Sequence, residues 1–130
     1  MKNEIKREII STQEAPGAIG PYSQAVQTSS LLFTSGQLGL DVQTGKLAEG
    51  VEAQTHAAMR NAGVILKAVG LDYANIIKTT IFVKDLADFQ AVNGVYASYF
   101  FGDYPARSCV QVAALPLGGL VEIECVAVRA

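Results

Sequence analysis

The sequence predicts an α+β fold, a sheet of about five or six strands with two helices packed on one of its faces. Two observations carry this. Val51 to Val69 repeats apolar residues at helical spacing, and a second helical stretch follows Asp85. The rest of the chain breaks into short segments rich in apolar and β-branched residues, bounded by Gly, Pro, Ser or Asp. Two helices cannot cover both faces of such a sheet, so one face needs a partner from another molecule.

In chain order, Ile5 to Ile10 reads as the first strand. Ala15 to Tyr22 carries Pro16, Gly17, Gly20 and Pro21 and reads as a structured loop. Ser23 to Thr28 and Leu31 to Ser35 form a hairpin about Ser29-Ser30, ended by Gly36, and Asp41 to Gly45 is a turn. The first helix places Ala58, Ala62, Ile65, Leu66 and Val69 on one side, with Gly70 as its stop. Glu49 and Glu52 suit its positive end and Lys67 its negative end. Ile76 to Val83 is a strand by its β-branched content. Asp85 caps the second helix, with Asp88 as a capping-box partner, and the helix runs to about Phe101 before Gly102. Ala106 to Val112 and Leu120 to Val128 are the last strands, the latter apolar on both faces except at Glu122 and Glu124.

The 130 residues make one domain, 1–130, with no repeat or linker. Half of them are apolar and mean hydropathy is +0.27, a surplus best accommodated at an interface between identical subunits. The net charge of −2 argues against a nucleic-acid backbone as partner, which needs a local excess of Lys and Arg. Met1 to Arg7 lacks the apolar core of a signal peptide, and no window is apolar enough to span a membrane. Cys109 and Cys125 read as reduced thiols of a cytoplasmic protein.

Several chemistries lack their parts. His56 is the only histidine, it lies mid-helix, and no Gly-x-Ser-x-Gly elbow accompanies it. One His and two distant Cys make no zinc set, and no phosphate loop or dinucleotide fingerprint occurs. The expectation is no metal and no cofactor, leaving cofactor-free chemistry or plain binding.

What remains centres on Pro105-Ala106-Arg107-Ser108-Cys109-Val110. An arginine between apolar strand neighbours needs an anion, because an unpaired buried charge is costly. Alternation puts Arg107, Cys109 and Gln111 on one face and pairs Glu122 with Glu124 on a face of the last strand. An internal Arg–Glu ion pair and a ligand site account equally well for this motif. On the second helix Phe89, Asn93, Tyr96 and Phe100 form a stripe that puts the Asn93 amide on the packed side, there to bind a ligand or to satisfy backbone. Tyr22 follows Gly20-Pro21 in the loop, either as a fixed phenol or as a packing anchor, and Gly36 is either a strand end or a place where a ligand meets bare backbone.

These motifs, taken together, resemble the reactive intermediate deaminase (Rid) family, nearly end to end. The residues that carry the resemblance are Ala18-Ile19-Gly20-Pro21-Tyr22-Ser23-Gln24, Thr34-Ser35-Gly36-Gln37, Lys78 through Asp85, Val92-Asn93 with Tyr96, Pro105 through Val110, and Val121-Glu122-Ile123-Glu124. The subgroup resembled hydrolyses 2-iminobutanoate and 2-iminopropanoate, and Arg107 in its hexapeptide is that subgroup's mark. The resemblance implies a chorismate-mutase-like fold with a mixed sheet, the Ile76 to Val83 strand lying between the last two, and a homotrimer with a cleft at each subunit boundary. It also implies that Arg107 grips the substrate carboxylate, that Cys109 and Gly36 line the pocket with backbone, and that Tyr22, Asn93 and Glu122 surround the imine and the attacking water. Gly118-Gly119 replaces a more polar turn and Cys125 matches no family position; neither falls among the site residues. Two other functions stay in view on the same fold: a non-catalytic module that holds 2-oxo acids, and an RNA-directed ribonuclease or translation inhibitor.

Overall fold

A computed structural model describes residues 6–130. The strands are β1 (Glu8–Ile10), β2 (Ala25–Thr28), β3 (Leu31–Thr34), β4 (Gln37–Leu38), β5 (Ile76–Val83), β6 (Ala106–Gln111) and β7 (Val121–Val128). The helices are α1 (Val51–Ala68) and α2 (Phe89–Ala97). The strands form one mixed sheet in the order β1-β2-β3-β7-β5-β6, and β4 also pairs with β7. As expected, β5 separates the last two strands: it runs parallel to β6 and antiparallel to β7. The first strand begins at Glu8, and Ile5 lies outside the described residues.

The hairpin turns at Ser29, which takes a φ of 42°. Helix α1 ends in a Schellman turn: the Leu71 N–H donates to the Leu66 carbonyl at 2.9 Å and Gly70 N–H to Lys67 at 3.0 Å. Gly70 takes the positive φ of 75° that this turn requires. The expected face of α1 is the buried one, with Ala58, Ala62, Ile65 and Leu66 all at 1% exposure or less. Two polar residues of α1 hold the segment before it. The Asn61 amide donates to the carbonyls of Leu38 and Leu40, and that of Gln54 to Ala48.

The second helix is shorter than its pattern. Asp85 does cap, accepting from Ala87 N–H at 2.9 Å, but it caps a 3₁₀ turn, Leu86–Asp88, that precedes α2. The Asp88 side chain makes no cap hydrogen bond. After Ala97 the backbone tightens to i→i−3 bonds, and Ser98 Oγ donates to the Val95 carbonyl at 2.6 Å, so Phe101 lies outside the helix.

The two faces of the sheet differ. On β7, Val121, Ile123, Cys125 and Ala127 are buried toward the helices, joined by Ile76, Ile81 and Val83 of β5. Among the described residues no helix covers the opposite face, which presents Phe33, Val110, Phe82 and Val126 beside Lys78, Thr80, Ser108, Glu122 and Glu124. Phe33 and Val110 are 46% and 44% exposed there. No helix among the described residues is long and apolar enough to cross a membrane.

Candidate active site

Strand register decides where Arg107 points. Arg107 lies opposite Thr79, and Thr79 opposite Cys125, so all three share the helix-covered face. Glu122 is opposite Phe82 and Glu124 opposite Thr80, on the uncovered face. The internal Arg–Glu ion pair, open on sequence grounds, therefore does not form within the chain.

Arg107 is instead held by α2. Residues Phe89, Asn93 and Tyr96 recur at helical spacing on the side that meets β6. Arg107 Nη1 donates to Asn93 Oδ1 at 2.7 Å, and its Cζ lies 5.4 Å from the Phe89 ring centroid and 5.2 Å from that of Tyr96. Rings at this distance stabilise the cation through their electron-rich faces. Arg107 opens on a cavity of about 370 Å³ lined by Asn93, Tyr96, Ala97, Tyr104 and Pro105, with the remaining N–H groups of the guanidinium fork still to be matched.

Tyr22, Gly36 and Glu122 meet elsewhere, around a second cavity of about 330 Å³ that Glu124 also lines. The loop that presents Tyr22 is pinned by Gln24, a buried residue whose amide donates to the carbonyls of Thr12 and Pro16 and accepts from Thr12 N–H. Ile19 N–H donates to the Tyr22 hydroxyl at 3.3 Å, a bond in which the hydroxyl oxygen accepts and its own proton remains available to donate. Gly36 falls in the break between β3 and β4, both of which pair with β7. A Cβ at Gly36 would stand 2.7 Å from Glu122 Cδ, so the Glu122 carboxyl occupies the space a side chain would fill. Burial first, and then the Glu124 charge, push the Glu122 carboxyl above its ordinary value.

Cys109 is half-buried on the same face as Arg107 and packs against the core. Burial raises its thiol more than the Arg107 charge lowers it, and Cys125, buried and bonded to Thr34 Oγ1, is pushed up to about 11. Both thiols stay protonated near neutrality, which suits packing rather than nucleophilic attack.

One chain thus brings the six expected residues together as two groups: Arg107, Asn93 and Cys109 on the helix side, Tyr22, Gly36 and Glu122 on the other. Phe89, Tyr96 and Thr79 had no functional reading in the sequence. The helical stripe through Asn93 was the available signal for the first two.

A mixed sheet carrying a clamped arginine on one face and a half-buried carboxylate on the other defines an α+β protein with two separate polar centres, and no group of three or more His, Cys, Asp or Glu side chains able to hold a metal ion occurs among the described residues. Comparison with known proteins narrows this. Residues 12–129 match the family described as Endoribonuclease L-PSP. The chain is 54% identical over 126 residues to Reactive Intermediate Deaminase A, chloroplastic, of Arabidopsis thaliana, covering 96% of this chain and 67% of that one. It is 51% identical over 128 residues to the 2-iminobutanoate/2-iminopropanoate deaminase of Mus musculus, covering 98% and 95%. A crystal structure of E. coli TdcF with bound serine superposes with a TM-score of 0.92 at 48% identity, covering 95% and 99%. The chain belongs to this family, the reactive intermediate deaminases that its motifs resemble.

Proposed function

We propose that this protein hydrolyses small 2-imino acids, 2-iminobutanoate and 2-iminopropanoate, to the 2-oxo acid and ammonia, without a cofactor, in the cytoplasm. The observation that carries the reading is Arg107, oriented by Asn93 and two rings, facing a cavity and set on the sheet face opposite to Glu122 and Glu124. Relatives named for this activity at about half identity over nearly the whole chain support it.

The active unit is a homotrimer whose clefts join the two groups from neighbouring copies. The uncovered, partly apolar sheet face supports association, and the placement of Arg107 and Glu122 on opposite faces of the sheet supports a cleft shared between copies. In the cleft, the guanidinium of Arg107 makes two parallel hydrogen bonds to the substrate carboxylate and so sets position and plane. Glu122 accepts a proton from water as its oxygen bonds to C2, and the C=N π electrons move to nitrogen. That proton passes to nitrogen and completes the carbinolamine; Glu122 then takes the carbinolamine hydroxyl proton and delivers it to the amine, so that the C–N bond breaks and ammonia leaves as the C=O bond forms. The raised proton affinity of Glu122 suits this relay, a task worth about a hundredfold to ten-thousandfold. The Tyr22 hydroxyl donates to the imine nitrogen or the adduct, and the Gly36 and Cys109 backbones line the pocket.

Ammonia release from freshly generated 2-iminobutanoate tests the reading. Turnover proportional to enzyme supports it. Binding of 2-oxobutanoate without turnover would leave a carboxylate-binding module, and salt-sensitive RNA cleavage with no ammonia would leave a ribonuclease.

A further inference from the structure

Arg107 is oriented by rings and an amide of α2, and what fixes α2 against the sheet at this point is a pair of hydroxyls. The helix-covered side of β5 is apolar at Ile76, Ile81 and Val83, and Thr79 is its polar exception at 1% exposure. Register sets Thr79 directly beside Arg107 across the parallel β5–β6 pair. Its hydroxyl does not turn back to backbone. It meets the Tyr96 hydroxyl at 2.7 Å, and Tyr96 is itself 4% exposed.

Valine and phenylalanine would fill the same space without two hydroxyls to be satisfied away from water. What the hydroxyl pair adds is direction: it fixes where the axis of the phenol points and ties the ring to the strand that neighbours Arg107. Phe89, the other ring beside the guanidinium, is 36% exposed and has no polar anchor, so Tyr96 is the better-anchored of the two rings. Asn93, between them on the helix, takes Nη1. The guanidinium therefore rests 5.2 Å from the centroid of a ring that the sheet holds in place, and a two-point carboxylate grip depends on the orientation of that fork.

We infer that Thr79 and Tyr96 are positioning residues for carboxylate recognition, their mutual hydrogen bond holding the Arg107 fork in the orientation that a 2-imino or 2-oxo acid requires. The ligand class rests on the proposed function; the coupling of Thr79 to Arg107 through Tyr96 is the new element.

The test compares wild type, Thr79→Val, Thr79→Ser, Tyr96→Phe and the Thr79→Val/Tyr96→Phe double variant. The measurements are 2-oxobutanoate affinity by calorimetry, KM and kcat for ammonia release, melting temperature and oligomeric state. Thr79→Val and Tyr96→Phe should each raise Kd and KM about three- to tenfold with kcat within about twofold, the loss of one hydrogen bond's worth of orientation. Thr79→Ser keeps the hydroxyl and should behave as wild type. The double variant should be no worse than either single, because all three break one bond. Folded Thr79→Val and Tyr96→Phe proteins with unchanged Kd and KM and a lowered melting temperature would overturn the inference, as would additive losses in the double variant. Should Thr79→Val fail to fold, Tyr96→Phe decides the matter alone, since it leaves β5 intact. A wild-type protein that binds no 2-oxobutanoate would overturn the carboxylate reading itself, an outcome visible before any variant is made.

Discussion

The two halves of the candidate site are built by different means. Around Arg107, side chains do the work: Asn93, Phe89 and Tyr96 hold a charge that a single chain orients completely. Around Glu122, backbone does it: the break between β3 and β4 leaves Gly36 bare, and the carboxyl lies in the gap. A side-chain cradle tolerates no loss of its central residue. A backbone gap tolerates no gain. This difference orders the variants.

Arg107→Ala should show the largest effect. It deletes two charge-assisted hydrogen bonds to substrate, each worth about 1.5–3 kcal/mol, and kcat/KM should fall roughly a hundred- to ten-thousandfold. Arg107→Lys should recover little, since an ammonium cannot make the planar grip. Stability should drop by only about 1–2 kcal/mol, the sum of ring contacts and one hydrogen bond. Stranding a buried Glu would instead cost about 3–5 kcal/mol, and a loss of that size in thermal or denaturant unfolding would restore the internal ion pair.

Gly36→Ala tests the backbone half. Its Cβ would collide with the end of the Glu122 side chain, which can swing away, so the fold should keep its melting temperature within a few degrees. Displacing the carboxyl by about 1 Å should still lower kcat about a hundredfold. Full activity in a folded Gly36→Ala protein would remove Glu122 from the chemistry.

Glu124→Gln should act through pH. The Glu124 charge is one of the two causes that raise the Glu122 carboxyl, so removing it lets Glu122 lose its proton at lower pH. The acid limb of kcat/KM should move downward in pH with little change on the plateau. A limb that stays in place or moves upward would show that Glu122 is not the titrating base. Cys109→Ala should do least, keeping turnover within about threefold, as expected of a protonated packing thiol. Abolished turnover in a folded Cys109→Ala protein would require a sulfur-based step.

Features that depend on a residue's own position were legible in the sequence. Alternation along β7 put Glu122 and Glu124 on one face, Gly70 marked the end of α1, and the charge of Arg107 among apolar neighbours marked the candidate site. Features that depend on a distant partner were not. Nothing local says that Thr79 will spend its hydroxyl on Tyr96, that Gln24 will pin the loop before it, or that the strand after Thr34 will pause at Gly36 and resume as β4. The end of α2 at Ala97 was hidden for a related reason. Its apolar pattern continues to Phe101, but Ser98 turns its hydroxyl on the backbone, and the Tyr99 ring packs 5.2 Å from that of Tyr73. The ion-pair alternative fell to register, which a sequence without its strand pairing does not disclose.

The central claim is that the two halves meet only across a boundary between copies of the proposed trimer, and mixed assemblies test it most directly. Arg107→Ala and Glu122→Gln chains, each inactive alone, are unfolded together in equal amounts, refolded and assayed for ammonia release. If each cleft takes Arg107 from one copy and Glu122 from its neighbour, random assembly leaves one cleft in four intact, and activity should return to about a quarter of wild type. If both residues served a site within one chain, no mixture could restore it, and refolded trimers without activity would contradict the account.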